Sequence, residues 1–219
     1  MVVRKELDEG LEQLKSLLVE MGERVEKVLG ESMTALQQLD KASAETIIKQ
    51  DTELNQIEET ISAVGAKLIA TQQPVAKDLR RILIAFKMAS DLERMGDLSV
   101  DIAKAVIRIQ GDKLIKPLID LPRMAEICQT MIYESIQSYI REDVGLAYKM
   151  AKDDDSIDAL YKQILIELVA LMTETPKTIS QSIHLLLIGR SIERIADHAT
   201  NIGEEVVYLV TGKRPELNL

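Results

Sequence analysis

A stretch of thirteen residues occurs twice in this chain, the second copy one hundred positions after the first and without a gap. DLERMGDLSVDIA (Asp91 to Ala103) recurs as SIERIADHATNIG (Ser191 to Gly203). Glu93 matches Glu193, Arg94 matches Arg194, Asp97 matches Asp197, and Asp101 falls on Asn201. A duplication of this kind restricts the chain to architectures made of two equivalent units. On a helix, residues four apart share a face, so Glu93, Asp97 and Asp101 form one stripe, as do Glu193, Asp197 and Asn201. Like charges at that spacing repel by roughly 0.2 to 0.5 kcal/mol per pair. The stripe therefore either stays in water or meets a cation.

The repeat reaches well beyond the stripe. At the same offset Ala85, Met88, Leu92, Met95, Ile102, Val106 and Ile109 meet Leu185, Ile188, Ile192, Ile195, Ile202, Val206 and Leu209, every pair apolar. At an offset of 103, Ile47 meets Met150, Asp51 meets Asp154, Leu54 meets Ile157, Asn55 meets Asp158, Ile61 meets Ile164 and Leu68 meets Leu171. The apolar period is helical throughout, in six runs: about 4–39, 43–71, 74–110, a fourth after Pro122, a fifth from about Met150 and a sixth over about 177–210. Gly111 to Pro122 carries two prolines and no period, and reads as the link between halves 1–111 and 112–219. The expected fold is all-α: two tandem three-helix bundles, each helix antiparallel to the last.

Composition agrees. Of 219 residues 46% are hydrophobic and 29% charged, with 3% aromatic, no Trp and one Phe, which suits long helices rather than disorder or sheet. A net charge of −9 argues against a nucleic-acid partner, because phosphate backbones need a basic surface. No leader-like apolar segment opens MVVRKELDEG, and no run of about 18 apolar residues exists, so the expectation is a soluble, cytoplasmic protein. The single Cys128 stands among Met124, Ile127 and Met131 at helical spacing and reads as core packing.

The acidic face of the third helix also bears Leu79, Leu83 and Phe86 upstream, matched by Ile179, Ile183 and Leu186. A face apolar at one end is expected to be covered, and it hints at a dimer contact. Asp51 with Asn55, and Asp154 with Asp158, stand four apart on the neighbouring helix of each bundle. Crossing helices would then set Glu-x-x-x-Asp against Asp-x-x-x-Asn or Asp-x-x-x-Asp. Such oxygen donors suit magnesium, manganese, iron or calcium, divalent or trivalent, over zinc or copper. A ferritin-like di-iron site is disfavoured, since neither His184 nor His198 lies three residues after a Glu. Arg94 and Arg194 are each placed for an i, i+3 salt bridge to Asp97 or Asp197. His198 has Leu98 as its counterpart and reads as structural, and of the run Lys152 to Asp155 only Asp154 has a matched partner. No nucleophile beside a His and no Gly-rich phosphate loop suggests an active site.

Two such bundles, with KMASDLERMGDLSVDIA in one and LIGRSIERIADHATNIGEEVVYLVTGK in the other, closely resemble the PhoU family over Arg4 to Lys213. That resemblance implies a cytoplasmic negative regulator of phosphate uptake and of the phosphate regulon. Its implied partners are the ATPase subunit of the phosphate ABC transporter and a sensor histidine kinase, and it is expected to be a homodimer. It also implies metal on paired acidic motifs, which carry over to Asp51, Asn55, Glu93, Asp97 and Asp101, and to Asp154, Asp158, Glu193, Asp197 and Asn201. Asn55 and Asn201 each remove one negative charge from a site. Two alternatives stand beside the non-enzymatic adaptor: a metal-dependent enzyme using the same carboxylates, and a helical scaffold with solvated acidic faces.

Overall fold

The structure, a computed structural model, describes residues 2–49 and 52–217, with side chains from residue 5 onward. Its helices are α1 (Val2–Gln38), α2 (Lys41–Lys49), α3 (Thr52–Gln72), α4 (Ala76–Arg108), α5 (Asp120–Arg141), α6 (Val144–Glu174) and α7 (Ile179–Thr211). No strand occurs among the described residues, and the expected all-α class holds. α2 and α3 flank residues 50 and 51 and together answer to the second helix of the repeat, of which α6 is the counterpart.

The duplication extends to the turns. Leu39 and Glu142 both end a helix with φ of 52°, and the Asp after each caps the next helix. Asp40 accepts from the amides of Ala42 and Ser43, and Asp143 from those of Gly145 and Leu146. Each carboxylate satisfies amides that the helix itself leaves open. Some boundaries differ from the sequence reading. The link is 109–119, because Pro122 fits inside the first turn of α5, where its missing N–H costs nothing. α7 is preceded by a 3-10 turn at Pro176–Thr178, which starts the helical path at the proline.

α1 buries Leu11, Leu14, Leu18, Met21, Val25 and Leu29 along one stripe, against α3, α4 and α5. α4 and α7 pack on each other as well, so the buried residues form one continuous core across both halves. Asp91 meets His198 at 2.9 Å and Lys87 meets Glu205 at 2.6 Å, so α4 and α7 run antiparallel. Gln129 on α5 donates to the carbonyl of Glu26 on α1 at 3.1 Å. Glu26 and Gln129 are themselves repeat equivalents, as expected where an approximate two-fold axis passes between halves. Cys128 is fully buried and its thiol points at the carbonyl of Ile192. No described helix is long and apolar enough to cross a membrane.

Candidate metal centres

In the second half, α6 carries Asp154 and Asp158 one turn apart, and α7, packed along it, carries Glu193 and Asp197 in the same way. The four carboxylates act on one another. Burial is the largest cause that raises the Asp154 carboxyl, followed by Asp197, Asp158, Asp155 and Glu193, and together they push it up to about 7. Glu193 is raised by burial and then by Asp197 and Asp158. Asp197 is raised by burial and then by Asp158, with His198, Arg190 and Arg194 pulling the other way. Removing a carboxylate from water and setting it among its own kind both favour the neutral form.

Two oxygens there have nothing to bond: Asp154 Oδ1 and Glu193 Oε2 are buried without a hydrogen-bond partner. Buried polar atoms are nearly always satisfied, and these two oxygens are exceptions to that rule. Glu193 Oε1 accepts from Arg190 at 3.1 Å, and Asn201 sits half-buried one turn beyond Asp197. All the donors are oxygens, which fits a hard cation. Among the described residues, however, no three His, Cys, Asp or Glu side chains are drawn together tightly enough to form a ligand cage.

The first half is arranged differently. A Cβ on Gly96 would come within 2.2 Å of Leu54, so α3 lies tight against α4 right beside Asp97. Glu93 is covered, with 14% of its side chain exposed, the same as Glu193. Asp97 and Asp101 are 42% and 54% exposed. Arg94 donates to Asp97 at 3.2 Å and Lys104 to Asp101 at 2.8 Å. Asn55 is exposed, and Asp51 lies outside the described residues. Of the first-half residues, then, the stripe itself is answered by basic side chains of its own helix.

The expected i, i+3 bridge therefore forms for Arg94 alone. Arg194 makes no ion pair within 4 Å among the described residues, and Arg190, one turn earlier, takes the Glu193 carboxylate instead. Arg190 was legible at that spacing, though its counterpart is Ser90 and the repeat draws no attention to it. His198 is structural as expected, but through Asp91 of the other bundle. Leu83, Ile179 and Ile183 are exposed, whereas Phe86 packs against α3 at Gly65.

Comparison with known proteins is consistent along the whole chain. The PhoU domain model matches residues 18–106 and again residues 121–206. The phosphate-specific transport system accessory protein PhoU homologue of Clostridium acetobutylicum is 39% identical over 218 residues, covering 99% of this chain and all of that protein. The homologue of Rhizobium meliloti is 37% identical, covering 95% of this chain and 89% of its own length. Among solved structures, the phosphate transport system regulatory protein PhoU from Streptococcus pneumoniae superposes with a TM-score of 0.89 at 31% identity, over 96% of this chain and 99% of that one. PhoU from Pseudomonas aeruginosa gives 0.85 at 34% identity, over 94% and 99%.

Proposed function

Because this chain belongs to the PhoU family, we propose that it is a non-enzymatic accessory protein that restrains phosphate uptake and the phosphate regulon. It acts at the cytoplasmic face as an adaptor between the transporter's ATPase subunit and a sensor histidine kinase. The observation that carries this reading is the double match of the PhoU domain, one in each half, on a chain that aligns with the whole of the Clostridium acetobutylicum homologue. Long helices packed on one continuous core suit a protein whose work is to present surfaces. In a strain lacking its own family member, expression of this chain should lower phosphate uptake and silence a regulon reporter in phosphate-rich medium. A reporter that stays fully active, with the protein present and folded, would end the regulatory reading.

The second-half carboxylates Asp154, Asp158, Glu193 and Asp197, with Asn201, would hold a magnesium, manganese, iron or calcium ion. The stranded oxygens of Asp154 and Glu193 support this. When bound, the ion supplies positive charge that cancels the mutual repulsion and ties α6 to α7. Glu93, Asp97, Asp101, Asn55 and Asp51 form the matching first-half set, with weaker demand for an ion because Arg94 and Lys104 already answer Asp97 and Asp101. Self-association as a homodimer would use apolar side chains left in water, such as Leu83, Ile179 and Ile183. Sedimentation at micromolar concentration checks it, and a monomer throughout excludes it.

A further inference from the structure

The approximate two-fold axis between α4 and α7 relates two grooves that are furnished with opposite charge. One is floored by Lys87, Asp91, His198 and Glu205, and the chain's own tail lies along it. Gly212, with φ of 74°, turns the backbone there. Arg214 then pairs with Glu205 at 3.3 Å and lies 4.8 Å from the Tyr208 ring. The Leu217 amide donates to Glu204 at 2.7 Å, and its side chain packs against the core. This groove holds an extended basic segment followed three residues later by a leucine.

The equivalent groove, of about 270 Å³, is lined among others by Leu98, Lys104, Arg108, Leu187, Arg190 and Arg194. The matched positions shift the balance from acidic to basic: Glu204 becomes Lys104, Glu205 becomes Ala105 and Tyr208 becomes Arg108, while Lys87 becomes Leu187. Asp101 is the one acid lining it, and Lys104 pairs with it. Arg108 and Arg194 make no ion pair within 4 Å among the described residues, in a chain whose net charge is −9. The chain after α4 does not return along this groove. It is drawn aside to α7, where Gln181 accepts from the Ile115 amide and donates to the carbonyl of Lys113.

We propose that this open groove docks an extended acidic segment of a partner polypeptide. Its carboxylates lie against Arg108 and Arg194, and an apolar side chain sits on Leu98 and Leu187. The internal tail shows that a groove of this shape accepts such a strand, and the reversed charge selects the opposite partner. Fork-shaped guanidinium groups favour carboxylates with two-point geometry. The proposal deepens the adaptor reading and rests on it, since it names the surface and the chemistry by which another chain is held.

The probe is a fluorescent peptide copying residues 212–217 with Lys213→Glu and Arg214→Glu, titrated with the full chain at low salt and followed by anisotropy. It should bind at least about tenfold more tightly than the unaltered tail peptide. Arg108→Glu and Leu187→Asp, both exposed positions, should each weaken it by about tenfold or more. Equal affinity for the two peptides, no loss in either variant, or displacement by millimolar inorganic phosphate would overturn the proposal, the last by making the groove a small-anion site. If the transporter ATPase subunit or the kinase is captured equally well by wild type and Arg108→Glu, the adaptor stands and the groove falls. If the altered peptide binds as described while neither partner is ever captured, the groove stands and the adaptor reading is what fails.

Discussion

The two acidic sites descend from one repeat, yet among the described residues it is the second-half carboxylates whose protonation is shifted by burial and crowding. On α6 and α7, burial and the neighbouring carboxylates, that of Asp158 among them, raise Asp154, Glu193 and Asp197, and two oxygens there are stranded. On α4, Asp97 and Asp101 face water and have Arg94 and Lys104 beside them. The helix pitch is the same in both. What differs is a few neighbours: Asn55 replaces the carboxylate of Asp158, and Asn201 replaces that of Asp101 next to Glu204 rather than Lys104. A shared backbone therefore fixes where charges stand, while single neighbouring residues decide whether those charges are already answered.

The strongest way to break this contrast is to measure metal on purified variants. Asp197→Ala should lower affinity at the second-half site by about 100-fold or more, beyond what loss of a supporting residue costs, whereas Asp97→Ala should change total bound metal far less. Equal losses, or unchanged metal content in both variants, would erase the distinction. A second test uses pH on metal-free protein. Asp154 has its folded carboxyl raised from 3.8 to about 7, so the folded state holds more protons than the unfolded one between those values. Stability from this group is then full below about 4 and is lost as pH rises toward 7. Asp154→Asn should flatten that dependence and raise stability at neutral pH by about 1 kcal/mol after screening, or roughly 2 to 4 °C in Tm. Unchanged melting curves would show that the repulsion is relieved by water.

Smaller effects sharpen the comparison of packing. Gly96 stands where the second half has Ala196, and a Cβ there meets the end of the flexible Leu54 side chain. Gly96→Ala should therefore shift stability by under about 1 kcal/mol, as helix propensity gained offsets the adjustment of Leu54. A loss several times larger would mean that α3 cannot yield. Smallest of all, Arg94→Ala should cost no more than about 0.5 kcal/mol in thermal or urea unfolding. A larger cost would mark the exposed Arg94 to Asp97 pair as part of a tighter network.

Most of the fold was legible because duplication checks itself: a helical period that recurs at a fixed offset does not arise from a misread face. Leu14, Leu18, Met21 and Val25 fall where their spacing puts them. What escaped was tertiary. His198 finds Asp91 across the interface between halves, 107 positions away, and no local spacing announces that. Arg194 leaves Asp197 without the expected bridge while Arg190 pairs with Glu193, and the repeat, with Ser90 at the matching place, does not announce that. Nor does the sequence tell that one groove beside α7 is lined by the chain's own tail and its twin by arginines, since that follows from where the two connections travel after Gly111 and Gly212.

The Arg190 to Glu193 bond joins the edge of α7 that faces α6 to the edge that faces α4. A cation held on Glu193 Oε2 would weaken the pull of that carboxylate on Arg190, which bonds Oε1, and so leave the guanidinium freer to turn toward the groove, where a negatively charged strand could use it. Thermodynamic reciprocity then requires the converse: a strand that takes Arg190 leaves Glu193 freer to grip an ion, and each ligand tightens the other by the same factor. One guanidinium would thus couple ion supply to partner affinity through a single helix, with no hinge or domain motion.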